Sequence, residues 1–184
     1  GISQDVEADD SILDHTRARL PWLVLALLGG FVSVRVLGLF EGAMVEHGKL
    51  FFFTPLIAAM AGNVGVQSSA IIVQGLANDT LSGSLFNRLV KEVSLSLLNG
   101  VILAVILFIG SHFLLNVEFI IGIIVTIALI SVIIIASLIG TFIPLLLDKF
   151  GIDPALATGP FITTSNDICG ILIYFSIAKI ILGF

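Results

Sequence analysis

Residues 119–147 read FIIGIIVTIALISVIIIASLIGTFIPLLL, a run of 29 residues without one charged side chain. As a helix it extends about 43 Å, against a hydrocarbon core of roughly 30 Å. Such a segment spans a bilayer and must tilt, bend or project, and Gly140 and Pro144 mark the expected place for a bend. Reading outward, Leu20 to Phe40, Leu50 to about Leu76 and Val90 to Phe113 are further apolar runs of spanning length. A last one opens at Asp153-Pro154, an N-cap followed by a preferred first helical residue, and continues to about Ile181. The expected fold is an all-α integral membrane protein with five transmembrane helices per subunit and its termini on opposite faces.

Composition agrees. Apolar residues make up 58% of the 184 and charged ones 11%, with a mean hydropathy of +1.18, well beyond an ordinary soluble domain. A formal charge of −5 argues against a nucleic-acid partner. Acidic Asp5, Glu7, Asp9, Asp10 and Asp14 crowd the start, unlike a cleavable signal peptide. The start at Gly1 without methionine suggests a fragment. Residues 1–19 read as a polar juxtamembrane segment and residues 20–184 as the membrane domain.

Charge placement orients the spans. Arg17, Arg19, Arg88, Lys91 and Lys149 fall on one side, Lys49 and Lys179 on the other, with Arg35 near that second side. The positive-inside bias puts the N-terminus in the cytoplasm and the C-terminus outside. Arg35 can snorkel to the interface or pair with Glu41. Lys91 and Glu92 stand at the entrance of the third span, where Ser96 and Asn99 are expected to hydrogen-bond between helices.

Two polar segments break the apolar pattern. Thr158 to Gly170, TGPFITTSNDICG, carries Asp167 inside the fifth span, about 20 Å along a helix that starts at Pro154. A carboxylate at that depth is costly and should face a polar group, a water-filled path or an ion. Thr163 lies four residues before Asp167, and Pro160, Thr164 and Asp167 follow one another at spacings of four and three on a shared face. Pro160 is also expected to free the carbonyl of Leu156. In the second span, Gly62-Asn63-Val64-Gly65-Val66-Gln67-Ser68 puts Asn63 and Gln67 on one face, with Pro55 and the glycines allowing a bend or local unwinding.

One carboxylate among neutral oxygens favours a hard cation over a soft one. It is too little for a dry cage, but it suits an ion that keeps its water, as Mg²⁺ does. Weak binding through water also permits release, which conduction requires. A two-fold dimer would bring two Asp167 carboxylates around one axis, where their repulsion favours an intervening cation. The competing reading makes Asp167 a helix–helix contact satisfied by Thr and Asn. Cys169, the single cysteine, reads as a packing residue. His15, His47 and His112 are isolated, no nucleophile–base spacing stands out, and no enzyme is expected.

Several of these pieces occur together in one family. The motifs Arg19-Leu20-Pro21-Trp22-Leu23, Pro55-Leu56-Ile57, Gly62 to Ser68, Lys91-Glu92, Asp153-Pro154-Ala155 and Gly159 to Gly170 follow one another in family order. In this the chain resembles the membrane domain of the MgtE family of magnesium channels and transporters. The resemblance implies a homodimer in the lipid bilayer of the cell inner (plasma) membrane, with a pore lined by the second and fifth helices of both subunits at the two-fold interface. It implies hydrated Mg²⁺ as the ion bound and passed, with Mn²⁺, Co²⁺ and Ca²⁺ as other candidate ions. The family's central acidic residue falls on Asp167 and its pore asparagine on Asn63, with Thr163, Thr164 and Gly159 as further shell candidates. Residues 1–19 resemble the end of a connecting helix that, in many members, joins soluble regulatory domains not found in this chain. The expected activity is passive Mg²⁺ passage through a dimeric channel; a proton- or sodium-coupled transporter and a non-conducting scaffold or sensor are the alternatives.

Overall fold

The computed structural model describes residues 6–81, 83–157 and 159–184. Asp5 and the rest of residues 1–5, Ser82 and Thr158 lie outside the described residues. The described chain is helical: α1 (Ile12–Gly38), α2 (Glu41–Glu46), α3 (Thr54–Ala77), α4 (Leu85–Phe113), α5 (Phe119–Lys149) and α6 (Pro160–Leu182), with 3₁₀ turns at Gly48–Phe53 and Pro154–Ala157. All but α2 are long and apolar enough to cross a membrane.

Local chemistry explains where these helices begin. Ser11 caps α1, its hydroxyl accepting from the Asp14 amide at 3.3 Å and donating to Asp14 Oδ2 at 2.6 Å. Ser84 caps α4 by accepting from the Asn87 amide at 3.3 Å. Pro55 sits in the first turn of α3, so it starts that helix. No unwinding follows at Gly62 or Gly65, and α3 stays α-helical to Ala77. α5 likewise stays helical through Pro144.

Three boundaries differ from the sequence reading. Helix α1 begins at Ile12, so part of the polar lead-in belongs to the first spanning helix. Helix α4 begins at Leu85, which moves Lys91 and Glu92 two turns inside it. The fifth span starts at Pro160: Asp153 does cap, its Oδ1 accepting from the Ala155 amide at 2.9 Å, but what it caps is the short 3₁₀ turn. Proline disfavours helical backbone in the residue before it, and Gly159 is non-helical (φ −103°, ψ −120°), so the chain stops there and restarts. Pro160 therefore occupies a position where no intrahelical bond to Leu156 is lost.

Helix α5 is the hub, packing against α3, α4 and α6, while α1 leans on α6. Ile57 and Ala61 of α3, Ile124, Ala128 and Val132 of α5, and Tyr174 and Phe175 of α6 form one buried cluster. α3 and α5 cross backbone to backbone, Gly140 lying against the Gly65 carbonyl. Ser96 donates to Ser137 at 2.6 Å and ties α4 to α5, as expected of a buried interhelical contact. Asn99 is exposed on α4, and its side chain makes no hydrogen bond among the described residues. Arg35 is exposed and forms no ion pair among the described residues.

At the opposite end of the bundle from Gly159, the buried Tyr174 hydroxyl donates to the Leu50 carbonyl at 2.7 Å. Phe175 beside it packs on Phe40 and Phe51, at ring centroid distances of 5.1 and 4.7 Å. Tyr174→Phe leaves that carbonyl buried without its donor and should destabilise the fold by about 1–3 kcal/mol. Thermal unfolding in detergent checks this, and an unchanged midpoint would remove the bond from the account of the fold.

Candidate functional site

Helices α3 and α6 run side by side, and their two polar segments meet. A methyl group placed on Gly62 would lie 3.6 Å from Asp167 Oδ1 and 3.9 Å from Thr163 Cγ2. The carboxylate thus faces the glycine that precedes Asn63. Asp167 is half-buried, and among the described residues its carboxylate makes no hydrogen bond and no ion pair. Within the single subunit, no described side chain supplies the partner that the helix–helix contact reading requires. With α6 starting at Pro160, Asp167 lies about 10 Å along its axis, half the depth expected from a start at Pro154.

Asn63 and Gln67 stand on the same face of α3, as four-residue spacing requires, and Gln74 continues the stripe two turns on. Such a row of amides is poorly suited to hydrocarbon. The remaining candidates have other engagements. Thr163 Oγ1 turns back to the carbonyls of Gly159 and Pro160, at 3.3 and 3.2 Å. The Gly159 carbonyl also accepts from the Thr163 amide at 3.3 Å, so it belongs to the first turn of α6. The Thr164 methyl lies against Gly29 of α1, where it seats that helix on α6. Leu156, whose carbonyl was expected to open toward a path, lies in the Pro154–Ala157 turn before α6.

Two residues escaped the sequence reading. Asn166 is 1% exposed and packs on Gly65, in the same α3 turn that α5 touches through Gly140. Glu92, read as an entrance charge, receives a 2.6 Å hydrogen bond from Ser68 Oγ of α3. The signal for it lay in Ser84, whose cap starts α4 early enough to bring Glu92 inside. Among the described residues no cluster of three or more His, Cys, Asp or Glu side chains could grip a bare metal ion. The arrangement can instead offer one unpaired carboxylate and a row of amides to a hydrated cation.

Comparison with known proteins gives a consistent result. Residues 54–177 match the family described as MgtE, divalent cation transporter. The chain is 36% identical over 176 residues to a magnesium transporter MgtE of Bacillus subtilis, covering 95% of this chain and 39% of that relative. It is 36% identical over 183 residues to one of Enterococcus faecalis, covering 97% and 39%. It is 34% identical over 171 residues to one of Thermus thermophilus, covering 90% and 36%. The chain therefore spans under two fifths of the length of these relatives.

Proposed function

The chain belongs to the MgtE family of divalent cation transporters, and from that premise we propose that it forms the permeation pathway of a homodimeric Mg²⁺ channel. The observation that carries this reading is Asp167, a carboxylate without a side-chain partner among the described residues, set against Gly62 of α3, the residue before Asn63. Mg²⁺ passes with its inner waters retained, the Asp167 carboxylate supplying charge and the Asn63 amide hydrogen-bonding the waters. Thr163 and Gly159 build the first turn that aims Asp167, and Thr164 seats α1 behind it. Mn²⁺, Co²⁺ and Ca²⁺ are further candidate ions for the same path.

A second copy supplies what one subunit lacks. The stripe of Asn63, Gln67 and Gln74 needs a polar environment, and a two-fold axis beside α3 gives it one by facing stripe to stripe. Two Asp167 carboxylates then repel across the axis, which favours a divalent cation between them. In the proposed orientation the N-terminus is cytoplasmic and the C-terminus lies outside, so α6 runs outward and Asp167 sits on the inner side of the membrane.

Ion flux into proteoliposomes tests the reading. Uptake should follow the Mg²⁺ electrochemical gradient alone, indifferent to an imposed proton or Na⁺ gradient; dependence on either would make the protein a coupled transporter, and no flux would leave a scaffold or sensor. Asn63→Ala should raise half-saturating Mg²⁺ about tenfold, the equivalent of one hydrogen bond of roughly 1.4 kcal/mol. A folded variant with unaltered saturation would remove Asn63 from the ion's shell.

A further inference from the structure

Glu92 stands seven residues past Leu85, about 10 Å along the axis of α4, in a half-buried position. The turns before it carry Asn87, Arg88 and Lys91, and the apolar stretch of the helix follows it, so Glu92 stands where the polar end of α4 gives way to the span. Its Oε1 accepts the 2.6 Å hydrogen bond of Ser68, which is itself only 5% exposed. Ser68 closes the Gly62-to-Ser68 segment that carries Asn63 and Gln67. α4 packs mainly on α5, so Glu92 reaches past that contact to grip α3.

The neighbouring contact sharpens the point. One turn further along α4, Ser96 joins Ser137 at the same 2.6 Å with neutral groups alone. Holding two helices together thus needs no charge at this level of the bundle. A charge-assisted bond is roughly twice as strong as a neutral one, and here it lands on the segment that presents Asn63. Packing at Gly65, against Asn166 and Gly140, fixes how close α3 approaches its neighbours. A glycine contact has no side chain to resist rotation or sliding; the Ser68–Glu92 bond does.

We infer that Glu92 is a positioning residue for ion passage, holding α3 through Ser68 in the rotation that sets Gly62 against the Asp167 carboxylate and so fixes where the adjoining Asn63 points. The inference rests on the proposed permeation role of Asn63 and Asp167. Glu92 touches no ion in this scheme, and its effect travels through one hydrogen bond.

The test uses the full chain in proteoliposomes, comparing Ser68→Ala, Glu92→Ala and Glu92→Gln with the parent and with Asp167→Asn. Ser68→Ala and Glu92→Ala should each raise half-saturating Mg²⁺ several-fold, less than Asn63→Ala, and alter competition by Mn²⁺, because both act on the ion only through the placement of α3. Glu92→Gln keeps an acceptor for Ser68 but loses the charge, and should fall between the parent and Glu92→Ala. The double variant Ser68→Ala/Glu92→Ala should be no worse than either single one, because both remove the same bond. A second readout is independent of flux: in a Cys169→Ala background, the labelling rate of Asn63→Cys by a charged maleimide should change several-fold on adding Ser68→Ala. Unchanged labelling in monodisperse protein overturns the inference, as does a Glu92→Gln variant as impaired as Glu92→Ala. If the parent itself carries no Mg²⁺, the permeation reading fails, and the labelling result still decides whether Glu92 positions α3.

Discussion

Asp167→Asn is expected to lower Mg²⁺ flux by at least about 100-fold while leaving the helices packed. A divalent ion about 6 Å from a carboxylate gains roughly 5.5 kcal/mol at an effective dielectric of about 20. Asparagine keeps the size and some of the hydrogen bonding, so part of that interaction survives and the rest is lost. Because the Asp167 carboxylate makes no hydrogen bond or ion pair among the described residues, its neutralisation breaks nothing that holds the fold. Thermal unfolding should therefore stay at or above the parent's midpoint, since an unpaired carboxylate in an apolar span is costly to keep. Measured by uptake into proteoliposomes, parent-like flux in the variant would exclude Asp167 from the path. A drop in stability matching the drop in flux would assign it to structure instead.

Gly140→Ala should be among the most damaging single substitutions outside the ion site. Its methyl would land on the Gly65 carbonyl, with Gly65 C and Cα both 3.0 Å away. Those are backbone atoms of α3 and cannot turn aside as a side chain does. The helices must separate, opening the contact that seats α3 against α5 and disturbing Asn166 in the same turn. Overpacking of this kind costs about 3 kcal/mol, and more when backbone is struck. The control is Gly30→Ala, which meets nothing within 4 Å and should gain up to about 1 kcal/mol from helix propensity. Differential scanning of both variants in detergent separates the two cases; equal midpoints would deny the Gly65–Gly140 contact its place in the fold.

How far the sequence could be read differs from residue to residue. The five spanning helices were legible because uninterrupted apolar runs of spanning length have few other outcomes. Their ends were less so. Asp153-Pro154 and Gly159-Pro160 both carry the chemistry of a helix start, and local signals do not say which start continues. The first makes a single 3₁₀ turn and the second the spanning helix, which halves the depth of Asp167. Glu92 was lost to a similar ambiguity, since a charge beside an apolar run looks like its boundary. Only the Ser84 cap shows that the helix began earlier.

The candidate site shows the same division. Four-residue spacing placed Asn63 and Gln67 on one face, and the polar stripe of α3 has them there. It could not distinguish Thr163, beside Asp167 at Gly62, from Thr164, seated on Gly29 of α1. Consecutive helical residues differ in direction by about 100°, and which direction meets which neighbour is a property of the packed bundle.

By itself, then, the sequence determined that this chain crosses a membrane as helices, because hydrocarbon offers backbone groups no partner and each segment must satisfy its own. It also determined that Asp167 would be an anomaly there. Only the tertiary structure decided what the anomaly faces. How the helices are turned against one another is set by contacts far apart in the chain, Gly65 on Asn166 and Gly140, Gly29 on Thr164 and Tyr174 on Leu50. Close packing admits one such rotation, and no periodicity within a single helix encodes it.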